Sequence, residues 1–278
     1  MSPAPLAKLA DGHAIPQLGL GTWPVGDAEV ENLLVDAIGM GYRLFDTAAR
    51  YDNEEGVGRA LRRAEVPRHE LFVTTKLGGT DHGYDAALAG FEESRRRLGV
   101  EHVDLFLIHW PLPLQDRYVD TWRAFVQLQR DGLATSIGVS NFAPAHIERI
   151  VEATGVWPAV NQVEMHPDFA QARLRAWHTQ HGVTTMSWGP LRSRSRVLAD
   201  PVVTSIAARV ARSAAQVVLR WHVQLGCVPI PKSSTPARMR ENLDVFDFSL
   251  TADDMAALAA LDNGSRLGGD PDTHLELW

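Results

Sequence analysis

Eight short apolar segments alternating with amphipathic helical stretches predict an α/β fold, a (β/α)8 TIM barrel. Three features carry this prediction. The strand segments are mostly unbroken apolar runs, as strands of a helix-covered parallel sheet must be. They recur with helical segments between them over about 220 residues, the span of such a barrel. The rival, an open doubly wound sheet, would normally carry G-x-G-x-x-G after its first strand. The one Gly-rich candidate, Gly56-Val57-Gly58, has the wrong spacing and follows an acid-rich turn.

Taken in order, the opening LAKLADGHAIPQLGLGT has two short apolar runs around Asp11-Gly12, which predicts a small N-terminal hairpin with a two-residue turn. A helical stretch from Val30 to Met40 leads to a strand over Tyr42 to Phe45, and a helix from Glu54 to Ala64 leads to LFVTTK. A helix from Ala86 to Leu98 precedes VDLFLIHW, and one from Thr121 to Arg130 precedes ATSIGVSN. A helix opening near Pro144 leads to PAVNQVE, one over Leu174 to His181 to VTTMSWGP, and one over Val217 to Leu225 to CVPIP. DVFDF is expected as the last strand. Thr251-Ala-Asp-Asp then offers a hydroxyl N-cap with an acid at N3 to a closing helix, and a C-terminal tail follows.

The 278 residues, 45% apolar and 22% charged, contain no low-complexity linker, so a single domain over 1–278 is expected. The lone cysteine, Cys227, has no intramolecular disulfide partner and sits in an apolar run, as a buried thiol would. A net charge of −7 argues against nucleic acid or an acidic membrane as the main partner. Without an apolar signal core or membrane span, a cytoplasmic protein is the expectation.

In a barrel of this kind, chemistry collects at the C-terminal strand ends. Successive ends here carry Asp46 and Tyr51, then Lys76, then His109. A phenol with a reference pKa of about 10 is a slow proton donor unless tuned. An adjacent Lys76 ammonium would stabilise the Tyr51 phenolate, and Asp46 would keep a half-buried Lys76 charged. Neutral His109 could donate a hydrogen bond to a carbonyl oxygen. Such a set protonates a C=O but supplies no hydride, which implies a nicotinamide cofactor. After the seventh strand, Lys232 and Arg238 flank a Ser-Thr-Pro helix start, a suitable place for a phosphate and an argument for NADPH over NADH.

GLGTWPVG, DTAARYDNEEGVG, FVTTKL, VDLFLIHWP, SIGVSNF, VNQVEMHP, SWGPL and IPKSS, in this order, resemble the motifs of the aldo-keto reductases, most closely the bacterial 2,5-diketo-D-gluconate reductase type. The resemblance spans nearly the whole chain. It implies an NADPH-dependent carbonyl reductase, monomeric by family habit, with Tyr51 as general acid, Asp46 and Lys76 as its tuning pair and His109 orienting the substrate. It also implies cofactor contacts at Thr22, Asp46, Ser140, Asn141, Gln162, Trp188, Leu191, Lys232, Ser233, Arg238, Glu241 and Asn242. Ser140, Asn141 and Gln162 suit a carboxamide, and Trp188 offers a face for the nicotinamide ring.

Three departures stand out. Asp52 follows the tyrosine where relatives commonly have Gly. Gly78-Gly79 stands where many have a Trp nearby, which predicts a wider mouth. The LRSRSR loop brings Arg192, Arg194 and Arg196, of which Arg192 is the candidate for a pyrophosphate. Trp23 and Trp110, with Trp122 as a further candidate, predict an aromatic-lined pocket for a small carbonyl substrate. No arginine stands out as a carboxylate ligand, and the tail ending His274-Leu-Glu-Leu-Trp278 is expected over the mouth. His178 and His181 share a helix without further ligands, so no metal is expected. Two other readings are an NADP(H)-binding redox sensor with little turnover, and a hydrolase using Glu164, which lacks a partner acid.

Overall fold

The first paired strands, β1 (Leu6–Lys8) and β2 (Ala14–Pro16), form an antiparallel hairpin. Its connection is longer than the expected two-residue turn. Lys8 pairs with Ala14, and Leu9 N–H donates to the His13 carbonyl at 2.8 Å, so Asp11 and Gly12 lie inside a five-residue loop, residues 9–13. The barrel follows: β3 (Leu20–Gly21), α1 (Asp27–Met40), β4 (Leu44–Asp46), α2 (Glu54–Arg63), β5 (Phe72–Leu77), α3 (Tyr84–Leu98), β6 (Val103–Ile108) and α4 (Tyr118–Arg130). Then come β7 (Ala134–Ser140), α5 (Pro144–Thr154), β8 (Val160–Glu164), α6 (Ala172–Gln180), β9 (Thr184–Trp188), α7 (Pro201–Val210), α8 (Ala214–Gln224), β10 (Val228–Ile230), α9 (Pro236–Leu243) and α10 (Ala252–Ala259). This computed structural model describes residues 3–191 and 197–276.

Strands β3 to β10 form one eight-stranded sheet in sequential order, all neighbours parallel. The ends of this sheet meet through two backbone bonds, Gly19 N–H to Pro229 O and Gly21 N–H to Pro231 O, both 3.1 Å. Glycine is required at this seam. A Cβ on Gly19 would stand 2.6 Å from Leu44 Cγ and 2.8 Å from Ile230 Cδ1.

The count of eight is therefore as expected, but one strand is placed differently. Residues 244–248, the DVFDF segment, form an irregular run, and the eighth strand is Leu20–Gly21 at the other end of the chain. The 244–248 run is held by side chains of α8 and of the connection before it. Asp244 and Asp247 pair with Arg212, and Val245 O accepts from Arg220. The sequence reading also omits α7, although Asp200-Pro201 is a start signal and Asp200 accepts from Val202 N–H at 2.8 Å. Thr251 and Asp254 form the expected reciprocal cap on α10.

Alternation along each strand builds the site. Leu44, Phe72, Leu105, Leu107, Val160, Met186, Val228 and Ile230 share one interior cluster with Leu9 and Ile15, so the hairpin packs onto the barrel interior. Two residues further along the same strand face lie polar or aromatic groups: Asp46 after Leu44, His109 after Leu107, Gln162 after Val160, Trp188 after Met186. Outward neighbours such as Phe45, Val73, Phe106 and Val139 belong to the larger core beneath the helices. Trp122 belongs there too. It is fully buried with Nε1–H on Val156 O, so it is a core residue rather than a pocket wall. Cys227 is buried just before β10, and burial pushes its thiol up to about 12. Among the described residues, no single helix is long and apolar enough to cross a membrane.

Candidate active site

Asp46 ends β4, Lys76 lies one residue from the end of β5, His109 follows β6, and Tyr51 closes a short 3-10 turn, Ala49–Tyr51. The fold brings all four together. Lys76 Nζ donates to Asp46 Oδ1 at 2.6 Å and to Thr47 O at 3.0 Å, and lies 3.4 Å from Tyr51 Oη. The Tyr51 and His109 rings meet edge to face with centroids 5.8 Å apart. Lys76 is wholly buried, and removing an ammonium from water costs several kcal/mol unless a counter-charge is at hand. Asp46 supplies it. Burial is the largest single influence and pulls the Lys76 pKa down, but the charge and hydrogen bond of Asp46, with those of Tyr51, together outweigh it, so Lys76 titrates above the ordinary lysine value.

Burial is the largest influence on Tyr51 and lifts the phenol above its ordinary value. Lys76 pulls the Tyr51 pKa down, as expected, without setting the net direction. Tyr51 is therefore held protonated, and the lysine matters most once a phenolate has formed. Burial likewise depresses His109, which stays a neutral imidazole at neutral pH.

The next strand ends form a second connected group. Gln162 Nε2 donates to Asp46 Oδ2 at 2.7 Å, so both Asp46 oxygens are occupied. Ser140 Oγ donates to Gln162 O at 2.9 Å. Asn141 Nδ2 donates to His109 O and Ser140 Oγ, and Trp188 Nε1 donates to Asn141 Oδ1 at 2.8 Å. Thr22 is buried with both its N–H and hydroxyl on Asp46 O. Leu191 is half-buried.

Farther out, Lys232 is exposed and, with Ser234, lines a cleft of about 410 Å³ opposite Glu29 and Asp36 of α1. Arg238 is exposed in the first turn of α9, Ser233 is buried with its hydroxyl accepting from Thr235 N–H, and Asn242 is buried. Glu241 accepts from the Ser213 hydroxyl. Arg192, Arg194 and Arg196 lie outside the described residues.

Residues 17–263 match the Aldo/keto reductase family. The chain belongs to that family. It is 48% identical over 273 residues to 2,5-diketo-D-gluconic acid reductase B of Corynebacterium sp., covering 98% of this chain and 99% of that one. It is 46% identical over 266 residues to methylglyoxal reductase DkgA of Escherichia coli K12, covering 95% and 96%. Among solved structures, a Gox0644 mutant in complex with NADPH superposes with a TM-score of 0.94 at 48% identity, covering 98% of this chain and 99% of that one.

In this aldo/keto reductase the mouth is not widened by Gly78-Gly79. Arg50 packs over Gly78, where a Cβ would come within 3.2 Å of Arg50 Cγ, and the tail fills the space above Gly79. His274 stacks on Trp110 with ring centroids 3.9 Å apart, so this tryptophan is covered. Trp23 remains 59% exposed, its ring 5.3 Å from that of Tyr51. Glu164 anchors the tail. Its two oxygens each accept a backbone N–H at 2.7 Å, from Leu267 and Gly268, and Oε1 also meets His166. That spends the carboxylate the hydrolase reading needed. Sequence reasoning missed Arg50 and Glu276. The empty space implied by two adjacent glycines was the available signal for the first.

Proposed function

We propose that this chain reduces aldehydes or ketones to alcohols, with NADPH as hydride source and Tyr51 as proton donor. The observation that carries this reading is the run of contacts from Tyr51 Oη through Lys76 Nζ to Asp46 and Gln162. Bound NADPH supplies the hydride that these side chains cannot. The carbonyl oxygen, held between Tyr51 and His109, takes the phenol proton as negative charge develops on it. The C=O becomes CH–OH, and a proton from solvent restores Tyr51. Burial keeps the phenol protonated until that moment, and the Lys76 ammonium stabilises the phenolate left behind. His109, neutral, orients the carbonyl as a hydrogen-bond donor without competing as an acid.

The residues present suit the cofactor. Trp188, fixed by Asn141, offers a face to the nicotinamide ring, and Ser140, Asn141 and the Oε1 of Gln162 can meet its carboxamide. Lys232 and Arg238 have no carboxylate partner among the described residues, and Thr235 leaves the first N–H groups of α9 without a side-chain cap. A 2′-phosphate would satisfy all of these.

The test is oxidation of NADPH by the purified protein over methylglyoxal, neutral aldehydes and oxo acids. Tyr51→Phe should lower kcat by about 100-fold or more while leaving NADPH affinity unchanged. No turnover by the wild type on the whole panel would end this reading.

A further inference from the structure

The tail carries an ionised group into the mouth. The Glu276 side chain is only 5% exposed, and one of its oxygens, Oε1, stands 3.2 Å from Arg50 Nε. The other, Oε2, accepts the Gly79 N–H at 2.6 Å. Oε1 also lies 3.1 Å from His109 Nδ1. A carboxylate is buried only where donors replace its water. Here a guanidinium from the turn before Tyr51 and a backbone N–H after β5 do so, against the histidine proposed to orient the substrate.

A Cβ at Gly79 would lie 2.3 Å from Leu112 Cδ1 and 2.7 Å from Glu276 Oε2, so glycine leaves room for both the leucine and the carboxylate. The tail does not depend on Glu276 for attachment. Residues 267–268 are fastened to Glu164, and Asp272 lies 3.2 Å from His146. His274 is also held, by its stack on Trp110 and its N–H on Asp270 O, so residues 275–276 can leave the pocket while the tail up to His274 stays docked.

We infer that Arg50 and the Gly79 N–H form a carboxylate subsite for short oxo-acid substrates, which Glu276 occupies as an internal competitor in the free protein. This rests on the reductase reading above and adds to it a substrate class and a residue that sets preference. A carboxylate placed where that of Glu276 lies would set the substrate's carbonyl, a few bonds away, beside His109 and Tyr51. A neutral aldehyde would gain nothing from the subsite.

The probes are phenylglyoxylate and its methyl ester, the same ketone with and without a charge, and phenylacetate, which has no ketone to reduce. A competitor that fills the subsite most of the time weakens apparent affinity by the fraction left free, so Glu276→Gln should tighten phenylacetate binding about tenfold by calorimetry. The acid-to-ester ratio of kcat/KM should rise by a similar factor. Arg50→Gln added to Glu276→Gln should reverse both changes. Acid and ester shifting equally, or phenylacetate binding indifferent to both substitutions, would overturn the subsite. If the wild type reduces neither ketone, the reductase reading fails by itself, because phenylacetate calorimetry still decides whether the subsite exists.

Discussion

Gln162 Nε2 and Asp46 Oδ2 are 2.7 Å apart, 116 positions away from each other in sequence, and this contact fixes the acid beneath the candidate catalytic lysine from the side opposite Lys76. Gln162→Leu should leave Asp46 Oδ2 without its donor and cost about 1–3 kcal/mol of stability, read from the urea midpoint. Turnover should fall with it, because Asp46 would be free to rotate away from Lys76.

The buried pair itself makes a sharper test. Lys76→Met leaves an unpaired carboxylate and should destabilise the fold by about 3–5 kcal/mol. Adding Asp46→Asn should recover much of that loss in the melting temperature without recovering activity. Recovery of both would show that the pair is structural alone.

Stability should also fall in mild acid. His178 and His222 are buried, and burial pushes them down to about 4 and about 3. His178 lies 3.0 Å from Asn161 and 2.9 Å from Thr185, and His222 3.0 Å from Ser187. The unfolded chain binds protons at these histidines near pH 6.5 and the folded chain does not. Their contribution is therefore complete above about pH 6.5 and is lost at about 1.4 kcal/mol per unit for each group as pH falls, down to about 4 for His178 and about 3 for His222. Urea midpoints across that window should show the slope, and His178→Gln should flatten it.

Asp52 adopts a left-handed conformation, φ 51 and ψ 33. Asp tolerates this region better than most residues, so Asp52→Gly should change stability by less than about 1 kcal/mol. Asp52→Val should cost about 1–2 kcal/mol and misplace Tyr51, with a drop in kcat.

Most of the barrel was legible because its strands are apolar throughout and its helices amphipathic. Leu20–Gly21 was not, because two residues among glycines carry no strand signal until Pro229 and Pro231 are seen to accept from Gly19 and Gly21. The acid, phenol, lysine and histidine were legible because each sits at or just beyond a strand end, where chain order translates directly into proximity. Arg50 and Glu276 were not. They are far apart in sequence, and each alone is an ordinary surface charge. Only the folded tail makes them a pair. Trp122 misled for the same reason, since aromatic content does not say which ring the core will cover.

The two bonds that join Gly19 and Gly21 to Pro229 and Pro231 couple the earliest barrel segment made on the ribosome to the last. Until residues near 231 have emerged, β3 must wait with one edge bare, and the partly made barrel stays open along that line. The short, glycine-rich character of β3 limits the hazard of waiting, since so brief an edge is a poor template for pairing with another chain.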